Sequence, residues 1–396
     1  MNNLNIMNKE KCCGCNVCAE ICPQHAIKMI ENDEGFLEYS IDEKLCINCG
    51  LCLKKCPQFN EMKNNKNFVQ QYYASSIKSV KDIKKSSSGG IFQIIAKEIA
   101  KNKEYAIFGA IYDENLKVKH SYIDNENDID KLLGSKYAQS DISNIYKVVR
   151  EKLDKNIKVL FSGTPCQVAG LYSYLGKKEY DNLITVDLIC HGVPSPLLFQ
   201  KYIEYLGKKY NGKVEEFNFR SKIKKEWGKN CLYKIGKRNF YKPYYLEAYY
   251  YNFIKGTISR KSCYECKYAN KERVADITLG DYWGIQDFHP KIYNKLGNSL
   301  IIINTMKGEK LFENIKNGIN YEQSSYSNAS KYNHTLNKPT PKADSRDSIY
   351  KNIRKDDFVE KFSQYLSFKP SLKNIIKSKI PPFVKTLVKN IRRKLK

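Results

Sequence analysis

Residues 12–23 read CCGCNVCAEICP, and residues 46–57 repeat the pattern as CINCGLCLKKCP. Both runs have the spacing Cys-x2-Cys-x2-Cys-x3-Cys-Pro, which lets three thiolates reach three corners of one 4Fe–4S cubane while the fourth cysteine reaches the other cubane. The repeat therefore predicts two clusters. The first cysteine set is Cys12, Cys15, Cys18 and Cys56, and the second cysteine set is Cys46, Cys49, Cys52 and Cys22.

Zinc is the competing interpretation of this repeat, because zinc also binds Cys-x2-Cys pairs. The x2-x2-x3-Pro spacing repeated twice is far more typical of a bacterial two-cluster ferredoxin. Residues 26–30 and 35–40 read as a hairpin between the two runs, and Cys13 is interpreted as a bystander. We predict a two-cluster ferredoxin domain over residues 1–60, then a linker and entry segment over residues 61–85.

The rest of the chain is large and basic. The whole sequence has 396 residues, 14 cysteines and a formal net charge of +26, and 42% of its residues are hydrophobic. This length predicts more than one domain, and this composition excludes global disorder. There is no apolar run near 20 residues and no apolar stretch typical of a secretory signal. We therefore expect a cytoplasmic protein whose thiols stay reduced.

The positive charge is concentrated at the end of the chain. After Glu360 there are 11 lysines and arginines and no acid. A basic helical tail is predicted over residues 346–396. Within it, an amphipathic helix is expected to begin after Pro381-Pro382, and such a helix suits peripheral contact with anionic lipid on the inner membrane face. A helix docked on its own domain and a disordered tail are the alternatives. Its apolar face would consist of Phe383, Val384, Leu387, Val388, Ile391 and Leu395.

Two polar segments follow the entry segment. The apolar residues over 91–100 have helical spacing, and the sequence SSSGG at residues 86–90 comes directly before them. SSSGG can therefore cap this helix, or it can offer backbone N–H groups to a phosphate. Residues 105–112 read as a strand. The sequence GSKYAQS at residues 134–140 is interpreted as a ligand-lining segment or a solvated loop.

More cysteines occur further along the chain. Apolar strands at residues 157–162 and 183–189 lead into Cys166 and Cys190, at the strand ends where α/β sheets bind ligands. Cys263 and Cys266 precede another strand at residues 275–280. These four cysteines, the third cysteine set, are consistent with a third 4Fe–4S cluster or with separate buried core residues.

Several segments together carry a family resemblance. They are GTPCQ (163–167), CHGVPS (190–195), RKSCYECKYA (260–269) and ADITLGDYWG (275–284), with SSSGGIF (86–92) and GSKYAQS before them. In this order they resemble the beta-subunit family of coenzyme F-420-reducing hydrogenases and formate dehydrogenases, in its fused form with an N-terminal ferredoxin. The resemblance covers about residues 10 to 310. It implies an iron–sulfur oxidoreductase with FAD and a 4Fe–4S cluster on the third cysteine set.

The resemblance also implies an architecture and site residues. The expected fold is α/β (α+β overall): a small ferredoxin domain, an FAD side over residues 86–155, a third-cluster side over residues 156–345, and the tail. Lys136, His191 and Asp281 are the expected catalytic residues. The expected FAD and pocket residues are Ser87, Ser88, Gly89, Gly90, Ser135, Lys136, Tyr137, Asp276, Gly280 and Trp283.

The chemistry of a flavin explains why these parts belong together. A flavin takes up two electrons as a hydride and releases them singly to clusters, so it couples hydride chemistry to ferredoxin-type carriers. The expected donor or acceptor is an F-420-like deazaflavin or an unknown biosynthetic substrate. The expected protein partner is a ferredoxin or another oxidoreductase subunit.

Other functions have less support in the sequence. A pure electron-transfer polyferredoxin without its own substrate is the alternative. No nucleic-acid partner is expected, because basic charge alone is weak support for one. There is no GxGxxG motif to support a nicotinamide site. Within the expected site, Arg220 is interpreted as an anion-binding residue or a surface arginine, and His191 as a proton donor or a structural histidine.

Overall fold

The computed structural model describes residues 2–60, 68–176, 178–224 and 226–380. The predicted ferredoxin domain, residues 2–60 of the described chain, is called the head. It has two short helices and an antiparallel hairpin, and the hairpin lies close to its predicted position. Residues 61–67 of the predicted linker and entry segment, and the predicted tail helix after Pro381-Pro382, lie outside the described residues. The head elements are α1 (Val17–Glu20), β1 (Ile27–Glu31), β2 (Leu37–Ile41) and α2 (Leu51–Lys55).

Residues after the head form a body with an eight-stranded sheet and a three-stranded sheet. The body strands are β3 (Gln71–Ile77), β4 (Tyr105–Tyr112), β5 (Val118–Ile123), β6 (Lys158–Gly163), β7 (Leu183–Leu188), β8 (Val214–Asn218), β9 (Asn230–Ile235), β10 (Arg238–Pro243), β11 (Ile277–Asp281), β12 (Ser299–Ile303) and β13 (Ile319–Ser324). The large sheet has the order β13-β3-β12-β11-β7-β6-β4-β5, and β8, β9 and β10 form the small antiparallel sheet.

Strands β4, β6, β7 and β11 form a parallel centre in the large sheet, and the strands on both sides of it are antiparallel. This mixed sheet with helices confirms the predicted α/β class. The body helices are α3 (Val80–Lys85), α4 (Ile91–Ala100), α5 (Ile129–Leu132), α6 (Ile145–Asp154), α7 (Pro165–Leu175), α8 (Pro196–Tyr210), α9 (Ala248–Lys255), α10 (Ile285–Phe288), α11 (Met306–Ile315), α12 (Tyr326–Ser330), α13 (Ser345–Lys351), α14 (Phe362–Tyr365) and α15 (Leu372–Lys379).

The central strands are apolar because helices cover both faces of the sheet. In β6, Leu160 packs in the core under α4 and α11, while Val159 and Phe161 pack in the core under α6 and α7. This alternation follows from the two-residue period of a strand. Helices α8, α9 and α13 pack around the small sheet in a third core that is rich in tyrosine and phenylalanine.

The structure refines the expected organisation in two places. The FAD side and the third-cluster side both contribute strands to one continuous sheet, and β3 of the entry segment also lies in that sheet. The first part of the predicted tail belongs to the body, because Ile349, Ile353 and Phe362 are buried in its core. Within the described ranges, no helix has the length and apolar character needed to cross a bilayer.

Candidate functional site

The first cysteine set lines a cavity of about 310 Å³ in the head. Three of its cysteines, Cys12, Cys15 and Cys18, come from the first run, and Cys56 comes from the second run. The spacing predicts this exchange of the fourth cysteine between the two runs. Gly14 lies between Cys12 and Cys15 with φ +67°, and a Cβ there would lie 2.9 Å from the Leu37 carbonyl oxygen. A glycine is therefore needed in this loop.

The second cysteine set lines a separate cavity of about 340 Å³. Cys22 comes from the first run, and Cys46, Cys49 and Cys52 come from the second. Cys49 is exposed, so this set reaches the surface of the protein. Across the described ranges, no three or more Cys, His, Asp or Glu side chains are gathered around a single ion. A cubane tolerates wider spacing, because each thiolate binds a different corner of it.

The third cysteine set is assembled from separate segments of the body. Thr164 and Gln167 form a capping box that starts α7, and this places Cys166 in the first turn of that helix. Cys190 follows β7, and the Cys263–Cys266 segment precedes β11. All three segments meet at the carboxyl edge of the parallel strands, where α/β sheets commonly bind ligands.

Burial raises the thiol pKa values of the third cysteine set. The pKa of Cys190 rises to about 11, and the neighbouring Cys266 contributes to this rise. The pKa of Cys263 also rises, with contributions from Cys190 and Cys266. Binding to iron would deprotonate these thiols outright, whereas buried core cysteines would keep their protons. The mutual effects of these thiols show that the segments of the set lie close together.

Cys13, interpreted from the sequence as a bystander that binds no cluster, lies where the first and third cysteine sets meet. Its thiol interacts with the thiols of Cys15 and Cys166 and lines the first cavity. Gln139 Nε2 donates to the Cys13 carbonyl oxygen at 3.1 Å. Cys13 is thus in contact with one cysteine from each set.

Polar contacts hold the head on the body. Arg346, which is fully buried, pairs with both carboxylate oxygens of Glu34. On the other side of the head, Lys55 Nζ donates to the Ser173 carbonyl oxygen at 2.9 Å. Tyr268 Oη donates to the Pro57 carbonyl oxygen at 3.3 Å. The head is therefore docked, with its first cysteine set towards the third.

The two polar segments expected to bind FAD meet each other. The Ser135 backbone N–H donates to Ser87 Oγ at 2.7 Å, and the Ser135 hydroxyl donates to the same oxygen at 2.9 Å. Ser88 Oγ donates to the Asn298 carbonyl oxygen. The Gly89 N–H donates to Ser299 Oγ, so it is already paired. These hydrogen bonds bring the two segments together through Ser87 and Ser135.

The remaining residues of these segments pack closely. Gly90 precedes α4 with φ +86°, and a Cβ there would lie 2.6 Å from Ile77 Cγ2. Tyr137 stacks on Phe253 with ring centres 4.3 Å apart, and its hydroxyl accepts from Arg220 Nη1. Gly90 and Tyr137 consequently shape the wall of the expected site rather than offering polar groups to a ligand.

Two lysines of this region have no carboxylate partner among the described residues. Lys222 is buried, at 5% exposed, and its Nζ donates to the carbonyl oxygens of Ile83 and Ser88 at 2.7 and 2.5 Å. Lys136, in the second segment, is half-buried, and its Nζ donates to the carbonyl oxygens of Leu133 and Gly134. Burial lowers the pKa of Lys222 to about 7 and that of Lys136 to about 8. A nearby anion would favour the charged form of both lysines.

Lys222 was missed in the sequence, although it stands two residues after Arg220 in the segment FNFRSK. A lysine among many lysines carries no sequence signal of burial. Lys222 contacts Ser88 only in the folded protein, because the two residues are 134 positions apart in the sequence. Lys222 is therefore what the fold adds to the expected site, which already included Ser87, Ser135 and Lys136.

Asp281 forms an ion pair in the structure, and its expected catalytic role stays a prediction. Arg220 holds both its carboxylate oxygens, at 2.7 and 2.9 Å, and Trp227 Nε1 donates to one of them at 2.9 Å. Trp227 stacks on Trp283 with ring centres 4.7 Å apart. Asp281 neutralises Arg220, so neither of the two is free for a substrate. Trp283 remains a half-buried aromatic surface.

Two other expected site residues have structural partners. Asp276 lies at the opposite end of β11 from Asp281 and accepts from the Thr185 N–H and hydroxyl. A Cβ on Gly280 would lie 2.4 Å from Ile189 Cδ1, so this glycine serves packing. Asp276 is thus separated from Asp281 and Trp283 by the length of the strand, about 16 Å over five residues.

His191 is held as a neutral side chain. Its Nε2 lies 3.2 Å from the Ile254 carbonyl oxygen, and its ring packs edge-on against His334 with centres 5.3 Å apart. Burial lowers the pKa of His191 to about 4. A neutral, hydrogen-bonded imidazole fits the structural interpretation of this histidine better than proton delivery.

Two parts of the chain are similar to known protein families. Residues 11–60 match the family model of the 4Fe-4S dicluster domain, and residues 157–328 match the model of the C terminus of the coenzyme F420 hydrogenase/dehydrogenase beta subunit. A chain from the F420-reducing [NiFe] hydrogenase complex of Methanosarcina barkeri aligns with a TM-score of 0.46 and 17% identity, over 68% of this chain and 87% of that one. No curated protein matches. The family matches confirm the resemblance predicted from the motifs.

Proposed function

For an iron–sulfur protein related to the beta subunit of coenzyme F420 hydrogenases and dehydrogenases, we propose a flavin-dependent oxidoreductase function. It exchanges two electrons with a small molecule at FAD and single electrons with a redox partner through three 4Fe–4S clusters. The small molecule is an F-420-like deazaflavin or a biosynthetic substrate. The protein partner is a ferredoxin or another oxidoreductase subunit.

One observation carries this proposal. The third cysteine set lies at the carboxyl edge of the body sheet, directly against the Cys12–Cys15 loop of the docked head. Cys13 contacts both sides of that junction. A pure polyferredoxin needs no body of this size. Four unrelated, partly buried cysteines from distant segments would have no reason to meet at one edge of the sheet. Their convergence supports a cluster that receives electrons within the body and delivers them to the head.

Four residues would hold the FAD, with positive charge and hydroxyl groups around its phosphates. Lys136 and Lys222 supply the charge, and Ser87 and Ser135 supply hydrogen-bonding groups. When bound, FAD supplies the conversion between two-electron and one-electron chemistry. Lys136 and Lys222 keep their protons when an anion lies beside them, because an opposite charge favours the charged form of a lysine.

The partner protein reaches the head at the second cysteine set. Cys49 of that set is exposed, and the exposed apolar residues Leu45 and Ile47 lie beside it. Apolar surface around an exposed redox centre is typical of protein docking sites. The first and third cysteine sets are more deeply placed, so the second set is the one that a partner can approach.

Reductive titration of the anaerobic protein tests the function. We expect about five electrons per chain, two for FAD and one for each of three clusters, with loss of the flavin band. Reduced F-420, NADH, NADPH and reduced ferredoxin are then tried as donors. An uptake of about two electrons without a flavin band, one for each head cluster, would support the polyferredoxin alternative and contradict the proposal.

A matched pair of variants tests the proposed FAD residues. Lys222→Met is expected to lose FAD and keep its iron, because it removes a buried charge near Ser88 while leaving every cysteine in place. Lys224→Met changes an exposed lysine two residues away and serves as the control. Equal FAD content in both variants would exclude Lys222 from the FAD site.

We also propose that the end of the chain contacts anionic membrane. Leu372 and Ile376 of α15 are exposed at 79% and 62%, and the basic sequence continues beyond it to residue 396. An exposed amphipathic helix with basic residues is attracted to anionic lipid. The full chain should sediment with phosphatidylserine vesicles, and a chain ending at residue 369 should not. Equal sedimentation of both chains would contradict this role.

A further inference from the structure

One buried arginine lies beside the first and third cysteine sets without a carboxylate partner. Arg260 is 4% exposed, and its Nε donates to the Cys12 carbonyl oxygen at 2.6 Å. Its Nη1 donates to Gln139 Oε1 at 2.9 Å, and its guanidinium carbon lies 5.1 Å from the centre of the Phe36 ring. All these partners are uncharged, so none of them balances the positive charge of Arg260.

The other buried arginines of the described residues are all balanced. Their ion pairs are Arg220 with Asp281, Arg273 with Asp187, and Arg346 with Glu34. Among the described residues, Arg260 forms no ion pair with any aspartate or glutamate. Burying an unpaired guanidinium is unfavourable, so a buried arginine is normally found with a counter-charge. The position of Arg260 therefore points to a negative charge that the carboxylates of the chain do not provide.

Segments of two different cysteine sets contact this arginine. Its guanidinium donates to the carbonyl oxygen of Cys12 in the first set. At its backbone, the Arg260 carbonyl oxygen accepts from the N–H of Cys263 in the third set at 2.9 Å, and the Arg260 N–H donates to the carbonyl oxygen of Val193, in the segment that follows Cys190. Arg260 is therefore held between the segments of the two sets.

We propose that Arg260 is the shared counter-ion of the two clusters held by the first and third cysteine sets. This inference rests on the third cluster of the proposed function. Four thiolates leave each cluster with a net negative charge, and reduction adds one more electron. A fixed positive charge beside both clusters stabilises their reduced forms and raises both reduction potentials, since net charge is one of the factors that set such potentials.

This assignment makes Arg260 a positioning residue that also raises the two potentials together. An electron passing from the cluster of the third set to that of the first oxidises one centre and reduces the other, with no bond made or broken at Arg260. Because its charge raises both potentials, it stabilises the reduced forms without changing the difference between the two potentials. Its bond to the Cys12 carbonyl oxygen also fixes the head loop against the body.

Potentiometric titration with dithionite, followed by EPR, tests this role in the intact protein. In Arg260→Gln, with full iron content, both potentials should fall by about the equivalent of a tenfold change in the one-electron equilibrium, 59 mV. The cluster of the second set should shift less, because it lies further from the charge. Arg260→Lys keeps the charge and should restore both potentials. Signals of the third cluster are identified by their absence in Cys166→Ser.

A charge-matched control separates this role from a change in net charge. Arg354→Gln removes a half-exposed arginine that pairs with Glu31 where the head meets the body, and it should leave the potentials unchanged. Unchanged potentials in an iron-replete Arg260→Gln protein would overturn the inference. If the Arg260→Gln protein loses iron, the Arg260→Lys protein decides between the outcomes. Full iron content and parental potentials in the lysine variant support the role of the charge, and loss of iron in that variant overturns the inference.

The outcomes also separate this inference from the proposed function. The titration needs neither flavin nor substrate, so an absent FAD leaves it unaffected. A parent protein with about eight iron atoms would contradict the proposed third cluster, on the four-iron content of each cluster. Unchanged potentials at about twelve iron atoms, the content of three such clusters, would overturn the role of Arg260 alone.

Discussion

Replacing Cys166 and Cys190 together by serine is expected to lower the iron content from about twelve to about eight atoms per chain. The two residues come from different strand ends and supply half of the ligands of the third cysteine set. A cubane with two thiolates left in a buried site has no other described cysteine to replace them except Cys13, which is already in contact with Cys166. Iron analysis and the visible absorption of the variant measure the loss.

Electron transfer to the head should be interrupted in the same variant. Its flavin should still be reduced by a two-electron donor, while the two head clusters stay oxidised on the time scale on which the parent protein reduces them. Rapid-mixing absorption and freeze-quench EPR follow the two events separately. This combination of a reducible flavin and isolated head clusters is expected only if the third cluster connects them.

Two cysteines outside the three sets provide matched controls for this experiment. Cys231→Ser changes a buried cysteine in β9, far along the chain from every set, and should keep all the iron. Cys13→Ser should also keep it, because the first cavity contains four other cysteines. Full iron content in the Cys166→Ser/Cys190→Ser variant would contradict a third cluster. Loss of one cluster's iron from Cys13→Ser would instead make Cys13 a ligand.

The sequence predicted those features that depend on local spacing. The two cysteine runs determine their own loops, and their cross-over through Cys22 and Cys56 follows from the short spacing within each run. The helix over Ile91–Ala100 and the strand over Tyr105–Tyr112 follow from apolar periodicity, and both were predicted at their observed bounds. The α/β class followed from strands that alternate with helices.

Features that depend on distant contacts were beyond sequence reasoning. Lys222 and Arg260 are ordinary basic residues in a chain with 68 lysines and arginines. Only the fold places Lys222 beside Ser88 and Arg260 beside Cys12. Cys13 was interpreted as a bystander because spacing assigns ligands within one domain, and its contact with Cys166 forms only when the head docks on the body.

The expected catalytic residues illustrate a second limit. Asp281 is a conspicuous carboxylate at a strand end, but its ionised form is already bound by Arg220 and Trp227. His191 follows a cysteine ligand, yet burial and the Ile254 carbonyl oxygen favour a neutral ring. The sequence placed both residues at the carboxyl ends of strands. Their hydrogen bonds and ion pairs depend on neighbours from other segments, which the sequence does not reveal.

Iron and flavin content of the anaerobically purified protein tests the central claim most directly. Three 4Fe–4S clusters and one FAD require about twelve iron atoms and about one releasable FAD per chain. Both numbers come from one preparation, by iron analysis and by chromatography of the flavin released on denaturation. The account predicts about twelve iron atoms with one FAD. About eight iron atoms and no flavin would contradict it and leave a two-cluster electron carrier.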